Sequence, residues 1–453
     1  MIHKYSLMGH YIVLDVNSGA VHLVEEPFYR LLDYVEDVPQ EDCPERALEE
    51  LSGDISRAEL LEAWGEIVEL YKGGYLYSPD DYDAFAEKMV LSPVKAMCLN
   101  VSHDCNLRCQ YCFAGKGDYD QGRMVMNAET GKRAIDFLLE QSGDREFLEL
   151  DFFGGEPLMN FGVVKEVVEY ARSKEREYGK TFRFTITTNG MLLDDEKIDY
   201  INREMSNVVL SLDGRREVND RVRTRVDGSG CYDRVLGAFQ KLVESRGEKE
   251  YYVRGTFTKY NKDFSDDVYA LNEAGFDQIS VEPVVADPKE PYALTEEDLP
   301  EIFREYERLS ERLVKSRKQG KYFNFFHFMI DLEQGPCVIK RLRGCGCGNE
   351  YVAVTPDGNI YPCHQFIGHE DWKMGSLYDG SFDLGMKERF SKTSVYNKPD
   401  CRDCWAKFYC SGGCNANNMQ YMGDILTSHT LSCETEKKRV ECAIAIQAEL
   451  LDE

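Results

Sequence analysis

No apolar run in the chain approaches the roughly 20 residues needed to span a bilayer. The opening residues lack a charged segment followed by a long apolar stretch, so no secretory signal is expected and the protein is expected to be cytoplasmic. Basic residues are outnumbered: 54 Lys and Arg face 81 Asp and Glu, a formal charge of −27. Such a surface repels phosphate backbones and anionic lipid, which argues against nucleic-acid and membrane partners. Internal repeats and low-complexity tracts are also absent. What remains is a globular composition of 453 residues, 43% hydrophobic and 12% aromatic. At about 150 residues per domain that suggests three domains. Sixteen cysteines are the informative surplus. In a large cytosolic chain, clustered cysteines are more often metal ligands than disulfide partners, because crowded thiolates need a cation between them.

Residues 1–80 read as a separate module. Runs at 11–16 and 20–24 flank Asn17-Ser-Gly19 and predict a hairpin. Helical segments are predicted at 27–35, 45–51 and 56–71, the last opened by a Ser56 to Glu59 capping box. Short strands followed by three helices describe a winged-helix-like domain. It holds five basic and 17 acidic residues, a formal −12, so it is not built to grip DNA. An acidic stretch around Pro79, Asp80 and Asp81 predicts a linker over 81–92.

From 93 to 310 apolar strand-like runs at 94–101, 147–153, 182–187, 207–212, 251–258 and 278–285 alternate with amphipathic stretches such as 127–141, 161–178 and 195–205. Six strand–helix units predict an α/β fold, a partial (β/α)6 TIM-like barrel. Ligands in such folds gather at the carboxyl ends of the strands. The unusual residues fall there: cysteines after the first strand, Gly154-Gly155-Glu156-Pro157 after the second and Thr188-Asn189-Gly190 after the third. Residues 300–320 read as a charged helix, and 311–336 as a connecting segment. The region 337–453 is rich in Cys and Gly, the composition of a small domain that needs staples.

Cys105, Cys109 and Cys112 place three thiols within eight residues. A structural zinc prefers four protein ligands, whereas three thiolates suit a [4Fe–4S] cubane with one iron open to a small molecule. The Cys-x3-Cys-x2-Cys spacing, with Tyr111 before the last cysteine, resembles the radical S-adenosylmethionine (SAM) superfamily. That resemblance implies a contact from Glu156, beside Gly154, Gly155 and Pro157, to the methionine amino group. It implies contacts to ribose and carboxylate from Thr188, Asn189, Ser211 and Asp213, with Arg223 a candidate carboxylate partner. The stretch Asn219-Asp-Arg-Val-Arg223 carries Asn where the family pattern has His. The implied chemistry is reductive cleavage of SAM to a 5′-deoxyadenosyl radical, which the protein positions and shields.

The second group runs Cys345-Gly-Cys347, ten residues, Gly358, four residues, Cys363, then Cys401-x2-Cys404-x5-Cys410-x3-Cys414 and Cys433. Two zinc sites are the alternative reading. The spacing resembles the SPASM extension of radical SAM enzymes, which implies two auxiliary [4Fe–4S] clusters and three clusters in all. Cys401, Cys404, Cys410 and Cys433 would hold the outer one. Cys345 or Cys347, with Cys363 and Cys414, would hold the inner one, whose fourth ligand is Cys337, the second of the Cys345–Cys347 pair or a substrate thiolate. Cys43, Cys98, Cys231 and Cys442 read as small buried hydrophobes. His364, next to Cys363, is a candidate proton acceptor, weighed against an ordinary structural histidine.

The first domain resembles the recognition element that binds the leader of ribosomally made precursor peptides. There the leader adds as a strand beside the hairpin, here at Ala20, Val21, His22, Leu23 and Val24. The order of the three domains resembles peptide maturases that form thioether crosslinks. Met1-Ile-His-Lys-Tyr5 and the Val16-to-Ala20 turn resemble the maturases of six-cysteine SCIFF peptides. The resemblance implies a Cys-rich precursor peptide as partner, an electron donor such as flavodoxin or ferredoxin, and a Cys thiolate bonded oxidatively to a peptide carbon. Sulfatase (formylglycine) maturation and carbon–carbon crosslinking are the rival enzyme readings. A zinc-stabilised interaction or regulatory protein is the rival outside enzymes.

Overall fold

The computed structural model describes residues 1–87, 91–332 and 337–451. Residues 88–90 of the expected linker and 333–336 of the expected connecting segment lie outside them.

Strands Ile2–Leu7, His10–Asp15 and Val21–Val24 form an antiparallel sheet in chain order. Period-2 alternation lets the middle strand bury both faces. Val13 points into a core with the helices Glu26–Leu31, Glu45–Leu51 and Arg57–Lys72, while Ile12 and Leu14 pack against the C-terminal helix. The Ser56–Glu59 capping box is present. Two points differ from the sequence reading. Ile2–Leu7 adds a strand beyond the expected hairpin, and its pairing with His10–Asp15 depends on a turn with no Asx-Gly signal. Ala20 lies outside the strand. Its carbonyl accepts the Asp15 N–H at 2.8 Å, closing a turn in which Gly19 takes a φ of +78°.

The expected linker is docked, not free. It forms a short helix, Tyr82–Glu87. Before that helix, Asp80 accepts Lys407 Nζ at 2.7 Å and the Tyr396 hydroxyl, and within it Asp83 pairs with Arg402 at 2.8 Å. The acidic residues that suggest a solvated tether instead fasten it to the C-terminal domain.

Six parallel strands follow: Ala96–His103, Phe147–Gly154, Thr181–Thr188, Asn207–Ser211, Glu250–Phe257 and Gln278–Pro283, each beside the next. Helices Ala128–Gln141, Phe161–Tyr178, Asp195–Glu204, Tyr232–Arg246 and Phe264–Glu273 connect them. In Phe147–Gly154, Leu148, Leu150 and Phe152 are buried toward the core while Glu149, Asp151 and Phe153 take the alternate face. The last barrel helix, Leu299–Lys318, runs past the expected boundary at 310.

The sheet does not end where the expected barrel ends. Asn324–Phe325 pairs with the sixth strand, and Tyr351–Val354, from the Cys-rich region, pairs in parallel with the first. Antiparallel strands continue from there. The C-terminal helix Thr430–Leu450 joins the parts: Cys442, Ala443 and Ile446 belong to the barrel core, while Val440, Ile444 and Ala448 cover the N-terminal sheet. Among the described residues no helix is long and apolar enough to cross a membrane.

Candidate functional site

The cysteine loop leaves the carboxyl end of the first barrel strand. The Asp104 carboxylate accepts the Cys105 N–H at 2.9 Å, and Arg108 Nη1 donates to the Cys105 and Leu107 carbonyls at 2.6 Å. Leu107–Cys109 pairs with Arg223–Arg225, bracing the loop from the other side. The loop packs directly on Gly155, and the end of the first strand on Gly154. A Cβ on Gly155 would stand 2.3 Å from the Asp104 carbonyl oxygen, and one on Gly154 2.2 Å from that of Ser102. Gly154 also has φ +134°, so the paired glycines are a packing requirement.

Cys105, Cys109 and Cys112 line one cavity of about 310 Å³. Tyr111, Gly154, Gly155 and Glu156 share it, as do Thr188, Asn189, Ser211, Arg223 and His364. Pro157 is buried outside its lining, and so is Asp213. The Asp213 carboxylate accepts the Tyr111 hydroxyl at 2.7 Å and the Thr256 N–H at 3.1 Å, so it braces the wall from behind. Burial pushes the Cys105 and Cys109 thiols up to about 12, and raises Cys112 as well. Such thiols ionise at neutral pH only beside a strong cationic centre. Among the described residues no three His, Cys, Asp or Glu side chains converge as ligands of a single ion. Three thiols around the wall of a wider cavity fit a multi-iron cluster that keeps one open corner.

Glu156 is 1% exposed. Its Oε1 accepts the Thr188 hydroxyl at 2.7 Å and the Leu158 N–H at 3.0 Å, and Oε2 accepts the Asn189 N–H at 2.8 Å. Burial raises its carboxyl to about 6 despite those donors. Asn189 Nδ2 donates to Asn106 Oδ1 at 2.8 Å and reaches Cys105 Sγ at 3.6 Å, tying the third strand end to the cysteine loop. Asn219, at the family's His position, donates to Asp220 at 3.0 Å and to the Cys231 sulfur at 3.4 Å.

His364 stacks on Phe153 with ring centres 4.9 Å apart, tilts against Phe113 at 5.2 Å, and lies 3.3 Å from the Tyr351 hydroxyl. Burial, then the Arg254 charge, lowers it to about 4, so it is neutral at pH 7. The cavity residues that escape the sequence reading include Phe113, Phe153, Arg254, Thr256 and Glu282. Arg254 donates to Glu282 Oε2 at 2.5 Å. Burial opposes its charge, but Arg254, His327 and Arg439 hold the Glu282 carboxyl down at about 2. The signal was available for two of them, since Arg254 interrupts an apolar strand run and Glu282 closes one.

In the second cysteine group, Cys347 is buried and hydrogen-bonded to Cys363, with Cys345 and Cys414 in electrostatic reach. Cys345 and Cys347 thus both lie within electrostatic reach of Cys363, with Cys347 buried and Cys345, like Cys337, exposed. Cys433 sits among Cys401 and Cys404, and Cys410 beside Cys433 and Cys401. A further cavity of about 240 Å³ is lined by Cys410, Cys414, Cys433 and Arg439, and shares Glu282 with the first. Cys98, Cys231 and Cys442 are buried, and Cys43 is partly so.

Residues 99–263 match the model of the Radical SAM superfamily, and residues 345–405 match SPASM, an iron–sulfur cluster-binding domain. The chain carries a radical SAM domain and a SPASM domain. It is a radical SAM enzyme, and its cofactors are SAM and [4Fe–4S] clusters that include auxiliary ones. The cysteine-type anaerobic sulfatase-maturating enzyme of Clostridium novyi is 24% identical over 361 residues, 75% of this chain and 92% of that one. The structure of native anSMEcpe with bound AdoMet matches with a TM-score of 0.66 at 20% identity, over 80% of this chain and all of the other. Streptococcus suis SuiB bound to precursor peptide SuiA matches over 94% of this chain and 97% of its own, with a TM-score of 0.52 at 17% identity. The two structural likenesses establish a shared fold.

Proposed function

We propose that this radical SAM enzyme forms intramolecular thioether crosslinks in a Cys-rich, ribosomally made precursor peptide. The observation that carries the reading is the N-terminal sheet: Val21–Val24 is one of its two edge strands, so an extended leader can pair there, with Leu23 42% exposed. SuiB, a likeness that spans this module as well, is a protein solved with a precursor peptide. The −12 charge of residues 1–80 favours a leader carrying Lys or Arg.

In this reading Cys105, Cys109 and Cys112 hold the SAM-binding cluster, which supplies reductive cleavage of SAM when loaded. Glu156 takes the methionine amino group, and its own donors, Thr188 and the Asn189 N–H, keep the carboxylate aimed. Ser211, Asn189 and Arg223 receive the polar groups of SAM. Cys401, Cys404, Cys410 and Cys433 hold the outer auxiliary cluster, and Cys345, Cys347, Cys363 and Cys414 the inner one. His364, neutral between Phe113 and Phe153, faces the peptide as a proton acceptor. Phe113, 49% exposed on the cavity wall, gives the core peptide an apolar surface that excludes water. A low-potential donor of the flavodoxin or ferredoxin class supplies electrons.

The test is anaerobic incubation with a Cys-rich peptide encoded beside this gene, SAM and reductant. Each crosslink removes two hydrogens, so the peptide should lose about two mass units per bond. Unchanged mass with continuing SAM cleavage contradicts the reading. The likeness to the Clostridium novyi enzyme favours a second reading, formylglycine formation, which a sulfatase peptide tested in parallel separates.

A further inference from the structure

Two elements meet at Arg223. Antiparallel register sets it opposite Cys109. Its Nη1 donates to the Tyr111 hydroxyl at 2.9 Å, and Tyr111 in turn donates to Asp213 at 2.7 Å. Arg223 Nη1 is 3.9 Å from the Asp213 carboxylate, and its side chain is 8% exposed. The guanidinium lines the same cavity as the three thiols, and its buried Nε has no hydrogen-bond partner among the described residues. A cation this deeply buried, with a donor left over beside three thiols, needs an anion that the protein side chains do not supply in full.

We propose that Arg223 is the buried counter-charge of the SAM-binding cluster and sets its reduction potential, with Tyr111 and Asp213 as the residues that position it. This rests on the reading that Cys105, Cys109 and Cys112 hold a [4Fe–4S] cluster. Reduction adds one electron to that site, taken from the external donor, with no proton and no bond made or broken. A fixed cation nearby stabilises the added negative charge more strongly in a low-dielectric interior than in water. Asp213 acts with the opposite sign, from behind Tyr111. Tyr111 keeps the guanidinium from collapsing fully onto Asp213, which would cancel its field at the loop.

The resemblance alone assigns Arg223 to the SAM carboxylate, and the two roles separate cleanly without SAM. The experiment is an electron-paramagnetic-resonance redox titration of anoxically reconstituted full-length protein with dithionite, following the component that later SAM addition perturbs. Arg223→Met should make reduction at least tenfold less favourable, about 59 mV for one electron. Asp213→Asn should move the potential upward, Tyr111→Phe should lower it by less than Arg223→Met, and Arg223→Lys should largely retain it. Opposite signs from Arg223 and Asp213 are what a packing role does not produce. If Arg223→Met fails to take up iron, the upward shift in Asp213→Asn still has to appear. A potential unmoved by Asp213→Asn and by Arg223→Met, with only SAM affinity lowered, overturns the proposal. Absence of any SAM-responsive cluster in the unaltered protein would instead defeat the reading beneath it.

Discussion

His3, on the first N-terminal strand, stacks on Trp405 with ring centres 3.7 Å apart and planes 2° from parallel, one residue beyond Cys404. His3 Nε2 also meets Glu441 Oε1 at 3.0 Å, on the helix that carries Cys433. The sheet read here as the leader-binding surface is thereby clamped to the outer cysteine set. Stacked aromatic pairs contribute about 0.5–1.5 kcal/mol beyond burial. Trp405→Ala should therefore weaken docking of the module by about 1 kcal/mol. Hydrogen exchange should show faster amides in Ile2–Leu7, with peptide turnover falling more than peptide-independent SAM cleavage.

Leader affinity should depend on salt. With a formal −12 on residues 1–80, a basic leader should bind more weakly as ionic strength rises. Neutralising its Lys and Arg residues should remove most of that dependence. Fluorescence anisotropy of a labelled leader checks both, and an affinity indifferent to both changes would contradict the electrostatic part of the reading.

SAM binding should follow the ionisation of Glu156. Burial raises its carboxyl above the ordinary value to about 6, so the anion proposed to accept the methionine ammonium is lost as pH falls through 6. Affinity should therefore decline on going from pH 7.5 to about 5.5, roughly in step with protonation. Glu156→Gln should bind SAM weakly at every pH and lose the step. Isothermal titration over that range reads it directly.

Iron content should divide along the two C-terminal cysteine sets. Loaded protein should carry about twelve irons per chain, and replacing Cys401 and Cys433 together by Ala should leave about eight. The Cys345→Ala and Cys347→Ala variants should each perturb the inner cluster, because the proposed function gives both thiols to it. An inner cluster untouched by either substitution would remove that residue from the ligand set.

Much of the site is legible in the sequence because it is contiguous. The Cys105 to Cys112 loop, Gly154 to Pro157 and Thr188-Asn189 each follow a strand, and strand–helix alternation places them at one end of a sheet. Glu45–Leu51 and the Ser56 cap are likewise local and hold as expected. What local patterns cannot carry is pairing across the chain. Tyr351–Val354 completes the barrel sheet from a region whose composition suggests a separate unit, and Ile2–Leu7 becomes a strand only through its neighbour. Arg254 and Glu282 meet across two strands 28 positions apart. Asp213 has the residue type of a ligand contact, yet the fold turns it onto Tyr111.

The most direct test of the account is formation of 5′-deoxyadenosine by anoxically reconstituted, reduced protein given SAM. The unaltered chain should release it, and the product should be lost when Cys105, Cys109 and Cys112 are all replaced by Ala, with the auxiliary iron retained. Equal yields from the two proteins would contradict the account.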